Sequence, residues 1–176
     1  MGLNPKRDKL CLVQISNGNE VCHLVKIDLS SEKPLNLIKI LRNNKIQKIF
    51  HYARFDVAVF KHNFKINIKN ICCTKIASKL VRTYTDKHGY KDLCSELLGK
   101  SISKTEQSSD WGGELTKEQQ KYAATDVLYL HKLKDKLDMM LLREKRSKLA
   151  KACFDFIQYR TDLDINGWSE QDIFKH

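Results

Sequence analysis

Short apolar runs separated by turn residues open the chain and predict a hairpin of two antiparallel strands. The first run extends from Lys9 to Ser16, and Val21 to Asp28 resumes the pattern. Between them stands Asn17-Gly18, a strong hairpin signal because both residues tolerate the left-handed backbone of a tight turn. The hairpin therefore forms one side of a predicted sheet.

Beyond the hairpin, helical and strand patterns alternate. Apolar residues recur at helical spacing in the longer segments, and short apolar runs between them are typical of strands. The predicted order is a helix from Pro34 to about Asn44, a strand from Ile46 to Phe50, a helix from His51 to Asn63, a strand from Ile66 to Thr74 and a helix through about Tyr84. Such alternation indicates an α/β fold.

The middle of the chain contains a short helix and a polar loop. The helix is predicted from Asp92 to Leu98 and ends at Gly99, a residue suited to terminating a helix. The loop extends from Ser101 to Gly113, and the last predicted helix lies near Cys153. We expect residues 1–176 to form a single domain, because the sequence has no internal repeat and no linker.

A long amphipathic helix is predicted after Thr116. Thr116 and Gln119 form a capping box, and helical spacing continues to about Arg146. The apolar residues of this helix fall within one arc about 100° wide, and the charged residues of its middle lie outside it. Asp126 is the exception, because it lies in the middle of the apolar stripe with Tyr122 one turn before it.

The helix predicted from His51 repeats this anomaly at Asp56, which projects among aromatic and aliphatic residues. Burying an unpaired carboxylate costs several kcal/mol, so it needs a partner or a metal ion. Two such acids on different helices of a basic chain favour a metal site formed by Asp56 and Asp126. The alternative is that each acid caps backbone amides or pairs with a lysine.

The charge balance favours a polyanionic partner. The chain has 32 Lys and Arg against 21 Asp and Glu, a net charge of +11. Nucleic acid is the first expectation and an acidic membrane surface the second, while a solvated basic surface is the simpler alternative. Lys75, Lys79 and Arg82 share a helix face and are candidates for contact with an RNA backbone. Trp111 could stack on a base or pin its loop, and we favour pinning.

The amino-terminal residues and the cysteines indicate the expected cellular location and say little about the chemistry. No apolar run approaches the roughly 20 residues of a membrane span, and the first residues are too polar for a signal peptide. The six cysteines contain no C-x-x-C pair and lie in apolar segments. We therefore expect reduced thiols in a cytoplasmic protein with no membrane partner.

At the two buried acids the sequence resembles the DEDD-type 3′–5′ exonucleases, in the subclass that carries tyrosine. Tyr122-Ala-Ala-Thr-Asp126 matches their Y-x-x-x-D motif, and His51-Tyr-Ala-Arg-Phe-Asp56 matches their second motif. The segments 98–111 and 164–176 are similar to short bacterial ribonuclease D proteins, which lack HRDC domains. The resemblance implies a ribonuclease H-like mixed sheet flanked by helices and two Mg²⁺ or Mn²⁺ ions held by four carboxylates.

The resemblance also assigns roles to the residues. Asp126 would bind the ion that activates water, Asp56 would hold the second ion, and Tyr122 would orient the water and help to take its proton. The implied function is hydrolysis of phosphodiester bonds from single-stranded RNA 3′ ends, tRNA precursors among them.

One departure from the family bears on activity. The family's first motif, Asp-x-Glu on the first strand, would stand immediately before Met1, so we expect this strand and its two metal ligands to be missing. A misassigned start, a split or decaying gene, and a separate chain that supplies the strand are the three explanations. The alternative function is a catalytically inactive nucleic-acid-binding remnant.

Overall fold

The computed structural model describes residues 7–30, 33–102 and 111–176. Four short strands and seven helices occur in these residues. In chain order they are β1 (Leu12–Ile15), β2 (His23–Lys26), α1 (Leu35–Arg42), β3 (Lys48–Phe50), α2 (Ala53–Phe64), β4 (Ile71–Cys73), α3 (Thr74–Val81), α4 (Tyr90–Leu98), α5 (Lys117–Leu128), α6 (Leu130–Arg143) and α7 (Ser147–Ile165).

The strands form two pairs. β1 and β2 form the predicted antiparallel pair, with Leu12 opposite Lys26 and Ile15 opposite His23. Residues 16–22 connect them in place of the tight turn expected at Asn17-Gly18. β3 and β4 are parallel, with Lys48 opposite Ile71. Within the described residues the two pairs are not hydrogen-bonded into one sheet, so the expected mixed sheet is present as an antiparallel half and a parallel half.

The strand predicted from Ile66 to Thr74 is shorter than expected. Only Ile71–Cys73 pairs with β3, because Asn70 has a left-handed backbone with φ of 54° that interrupts extended structure. Before that point the carbonyl oxygen of Ile68 accepts a hydrogen bond from the Gln158 side chain rather than from a strand. The chain before β4 is therefore held by α7 and by the end of α1, where the Leu41 carbonyl oxygen accepts from the amide of Lys69.

The long helix predicted to Arg146 is two helices, α5 and α6, and the prediction of one continuous helix was wrong. The Tyr90 hydroxyl donates to the carbonyl oxygen of Thr125 at 2.6 Å and accepts from the amide of Tyr129 at 3.4 Å. These two backbone groups would otherwise bond each other across one helical turn. The inserted hydroxyl therefore breaks the helix between residues 128 and 130.

Two apolar clusters form the interior. One lies between the hairpin, α1, α2 and the β3–β4 pair, and the other lies between α3, α4, α6 and the start of α7. Phe154 of α7 contacts both clusters. α7 is also tied to α2 by a two-fold ion pair, in which Arg54 donates to both carboxylate oxygens of Asp164 at 2.7 Å. α7 thus fixes the position of α2.

All six cysteines are free thiols, and Cys72, Cys73 and Cys94 are buried. None of the helices in the described residues is long and apolar enough to cross a bilayer.

Candidate active site

α2 places Asp56 near its amino-terminal end. Tyr52, the residue before the helix, has a left-handed backbone with φ of 68°, and this turn directs the chain from β3 into α2. Asp56 lies in the first turn, where the helix dipole favours a negative charge. Burial nevertheless raises the pKa of Asp56 to about 7, and the nearby charge of Asp126 contributes to this shift.

α5 places Tyr122 and Asp126 one turn apart. The predicted capping box fixes the start of this helix, because the Thr116 side chain accepts from the amide of Gln119 and the Gln119 side chain accepts from the amide of Thr116. Asp126 lies in the last turn, where a negative charge is disfavoured. Burial raises its pKa to about 6, although the charge of Lys91 opposes this shift.

The two carboxylates come together between α2 and α5. The charge of Asp126 acts on the pKa of Asp56, and it also contributes, after burial, to raising the pKa of the Tyr122 hydroxyl. A backbone hydrogen bond acts on the Asp56 carboxylate and the charge of Lys91 acts on Asp126, and both effects oppose the upward shift that burial gives to each pKa. A metal site formed by Asp56 and Asp126 stays a prediction.

These carboxylates fit a hard divalent cation in their chemistry. Mg²⁺ and Mn²⁺ prefer oxygen ligands, and two neighbouring carboxylates whose charges burial disfavours are such ligands. Within the described residues, however, no group of three or more His, Cys, Asp and Glu side chains could hold a metal ion. Asp56 and Asp126 therefore fit as two members of a metal site whose other ligands are water, substrate or further carboxylates.

Hydrogen bonds tie the turn before α2, the helix that carries Asp56, to the start of α3. The Thr74 hydroxyl donates to the carbonyl oxygen of Phe50 at 3.2 Å, so it accepts from His51 Nδ1 at 2.9 Å. Burial, together with the charge of Lys75, lowers the pKa of His51 to about 4. His51 is therefore a neutral imidazole at neutral pH, and its ring lies 5.6 Å from the ring of Tyr90.

The predicted RNA-contacting side chains do not all share one exposed face. Lys75 is half-buried, and its ammonium lies 3.8 Å from the centre of the Tyr52 ring. Lys79 is exposed. Arg82 is fully buried, and its guanidinium is bonded to Glu96, to the Ser78 hydroxyl and to the carbonyl oxygen of Lys87. The expectation for Arg82 is thus corrected, because its charge is used inside the fold.

Trp111 lies beside the site rather than far from it. Its ring centre is 6.0 Å from the ring centre of Tyr122. The ammonium of Lys91 lies 5.6 Å from the same Tyr122 ring centre. Most of the loop before Trp111, residues 103–110, lies outside the described residues. Contact of Trp111 with a base remains a prediction.

Sequence reasoning missed Tyr90 and Lys91. Both stand at the start of α4, where the sequence predicted a helix only from Asp92. Gly89, which stands directly before Tyr90, was the signal in the sequence for the start of this helix. No pattern in the sequence could show that the Tyr90 hydroxyl enters another helix.

Comparison with known proteins agrees with this geometry. The sequence profile of a 3′–5′ exonuclease family matches residues 1–142. The chain belongs to the 3′–5′ exonuclease family. It is 32% identical over 163 residues to a Ribonuclease D of Acidiphilium cryptum, a match that covers 88% of this chain and 40% of the relative. The chain thus spans less than half the length of the curated Ribonuclease D relatives it matches.

Solved structures of Brucella melitensis NrnC are more similar. NrnC with bound Mg²⁺ is 53% identical, with a TM-score of 0.94, and the match covers 99% of this chain and 86% of that chain. NrnC bound to pGG is 54% identical, with a TM-score of 0.95 and 85% of that chain covered. The α/β fold of ribonuclease H-like type and the membership in an enzyme family of 3′–5′ exonucleases are confirmed.

Proposed function

We propose that this domain is the catalytic part of a metal-dependent 3′–5′ exonuclease that removes nucleotides from the 3′ ends of short single-stranded RNAs. One observation supports the proposal: Asp56 and Asp126, on separate helices, lie close enough for the charge of Asp126 to act on Asp56, burial raises the pKa of both, and Tyr122 lies one turn from Asp126.

The similarity to NrnC narrows the substrate class. NrnC has been solved with pGG bound, and we carry this over as a proposal for very short RNAs, a guanine dinucleotide among them. We propose very short RNAs as the substrate in preference to tRNA precursors, because the sequence identity to NrnC is higher than the identity to the Ribonuclease D relatives.

Each side chain has a separate task in the proposed reaction. When bound, divalent cations would neutralise the phosphate and promote attack by water. Asp56 and Asp126 would each release a proton as they bind the cations, so metal affinity should rise as pH increases through about 6 and about 7. The Tyr122 hydroxyl keeps its proton at neutral pH because its pKa is raised, and it would orient the attacking water by a hydrogen bond.

The test compares two preparations on pGG and on a 5′-labelled RNA with Mn²⁺ or Mg²⁺. The first is the 176-residue chain, and the second is the same chain extended at its amino terminus by a strand that carries Asp-Thr-Glu-Thr. We expect mononucleotide release from the extended chain and at most a trace from the 176-residue chain, because two carboxylates leave a pair of cations short of ligands. Asp126→Asn in the extended chain should abolish release.

The alternative, an inactive nucleic-acid-binding protein, gives the opposite result. In that case the extended chain binds RNA and releases no nucleotide at any metal concentration. Hydrolysis that survives Asp126→Asn would point to a contaminating nuclease and would also contradict the proposal.

A further inference from the structure

The excess positive charge of this protein is confined to one stretch of the chain. Residues 33–85 hold 12 of the 32 Lys and Arg and one of the 21 acidic residues, Asp56. The rest of the chain is balanced, with 20 of each sign. The net charge of +11 therefore belongs to a segment that folds into α1, α2, α3 and the strands between them.

Several of these cations are used internally. Lys48 donates to the carbonyl oxygens of Asn43 and Ile46. Arg54 and Lys61 pair with acids of α7, and Arg82 pairs with Glu96. The cations that remain have no acidic partner among the described residues, and three of them meet in one place: Arg42, Lys65 and Lys69.

Backbone structure brings these three side chains together. Residues 65–69 alternate between exposed and buried, and Ile66 and Ile68 fill the interior while Lys65, Asn67 and Lys69 face solvent. The amide of Lys69 donates to the carbonyl oxygen of Leu41 at 3.4 Å, which holds this segment against the end of α1. Arg42, the last residue of α1, therefore faces the exposed side of the segment.

The result is an open pocket of about 340 Å³ lined by Arg42, Lys65, Ile66, Asn67 and Lys69. Its charged lining is cationic throughout, and like charges this close repel one another unless an anion binds between them. The carboxyl ends of α1 and α2 favour one cation each. They do not account for Lys69, which belongs to neither helix.

We propose that Arg42, Lys65 and Lys69 form a phosphate-binding pocket that holds the backbone of a single-stranded RNA, at the opposite end of α2 from Asp56. The choice of RNA as the occupant rests on the proposed function, because a nuclease domain needs contacts to the part of the strand outside its catalytic site. The pocket is separate from the Asp56–Asp126 site, and pGG bound at that site does not need it.

The test measures RNA binding without metal, so it does not depend on hydrolysis. The probe is a labelled single-stranded RNA of about 12 nucleotides, followed by fluorescence anisotropy in EDTA over a series of salt concentrations. The variant carries Arg42→Gln, Lys65→Gln and Lys69→Gln. Its matched control carries Lys136→Gln, Lys148→Gln and Lys175→Gln, which remove three charges that are also exposed and lie outside residues 33–85. Thermal melting verifies that both fold.

We expect the pocket variant to bind this RNA about tenfold more weakly and to lower the slope of log affinity against log salt by about 2, since three phosphate contacts are lost. The control variant should change affinity by about twofold or less. The affinity for pGG should be the same in all three proteins.

Two outcomes would overturn the proposal. Equal losses in the pocket and control variants would mean that only the general field of the protein acts on RNA. Perturbation of residues 65–69 by inorganic phosphate, with RNA affinity unchanged in the pocket variant, would mean an adventitious ion only. If the extended chain has no exonuclease activity while the pocket variant still binds RNA more weakly than the control variant, the proposed function is contradicted and the pocket proposal is supported.

Discussion

At the residue scale, the molecule tolerates two acids in places that penalise their charge. The folded-state pKa values of Asp56 and Asp126, about 7 and about 6, lie above the ordinary carboxyl value. Between pH 4 and 7 the unfolded chain therefore holds fewer protons than the folded chain. Without metal, the contribution of these groups to stability is fully present below pH 4 and is lost as pH rises through about 7.

This sign gives a prediction for stability. Asp56→Asn should stabilise the metal-free protein by on the order of 2 kcal/mol at pH 8 and should have little effect below pH 4, because it removes the charge that burial disfavours. The measurement is urea unfolding in EDTA at several pH values. Asp135→Asn, a change at an exposed acid of α6, is the control and should be neutral throughout. A destabilising effect of Asp56→Asn at pH 8 would contradict the assignment.

A second residue-scale prediction distinguishes the role of Tyr122 from that of Asp126 in a protein preparation that has exonuclease activity. Tyr122→Phe should slow turnover by about 10²-fold or more and leave the Mn²⁺ dependence unchanged, because it removes a water-orienting hydroxyl and no metal ligand. Asp126→Asn should both lower the affinity for Mn²⁺ and slow turnover. Activity titrated against Mn²⁺ for both variants decides the matter. A shift of the Mn²⁺ midpoint in Tyr122→Phe as large as in Asp126→Asn would show that the roles are wrong.

At the scale of elements, the break between α5 and α6 sets the direction of the helix that carries Asp126. Tyr90→Phe removes the hydroxyl inserted between Thr125 and Tyr129. We expect these two backbone groups to bond each other, which lets α5 and α6 join into one straighter helix at a net cost of about 1 kcal/mol or less. The amide of Tyr129 should then exchange with solvent more slowly than in the unmodified protein. Faster exchange at Tyr129 would mean that the helix frays instead.

The same break marks the limit of prediction from sequence. The hairpin, the order of helices and strands and the capping box at Thr116 follow from local patterns, and the structure contains them. The apolar surroundings of Asp56 and Asp126 also follow from helical periodicity. The break at Tyr129 does not, because it depends on a hydroxyl 39 residues away.

The other errors have the same origin in contacts between distant residues. The carbonyl oxygen of Ile68 is bonded by Gln158, so the strand predicted before residue 71 does not form. Arg82 forms an ion pair with Glu96 and is buried, although helical spacing predicts that it lies on the surface. Local patterns contain no information on either partner.

At the scale of the whole molecule, α7 fixes α2 and thereby Asp56. The Asp164 side chain is 9% exposed and accepts from Arg54 and, at 3.1 Å, from Arg160. Asp164→Asn should destabilise the protein by about 2 kcal/mol, because both arginines lose their counter-charge. Asp162→Asn is the control, since Asp162 is 49% exposed in its pair with Lys61 and should cost about 0.5 kcal/mol. Urea unfolding of both variants provides the comparison, and equal losses would contradict the argument.

The length of α2 has a consequence for the proposed RNA pocket. Asp56 lies in its first turn and Lys65 just after its end, and nine residues at 1.5 Å each separate them by at least about 13 Å. A stacked strand advances about 3.4 Å per nucleotide, so about four nucleotides are needed to contact both places. α2 would then act as a ruler. Affinities for RNAs of about two to eight nucleotides should show a step near four in the unmodified protein, and the step should vanish when Arg42, Lys65 and Lys69 are replaced by glutamine.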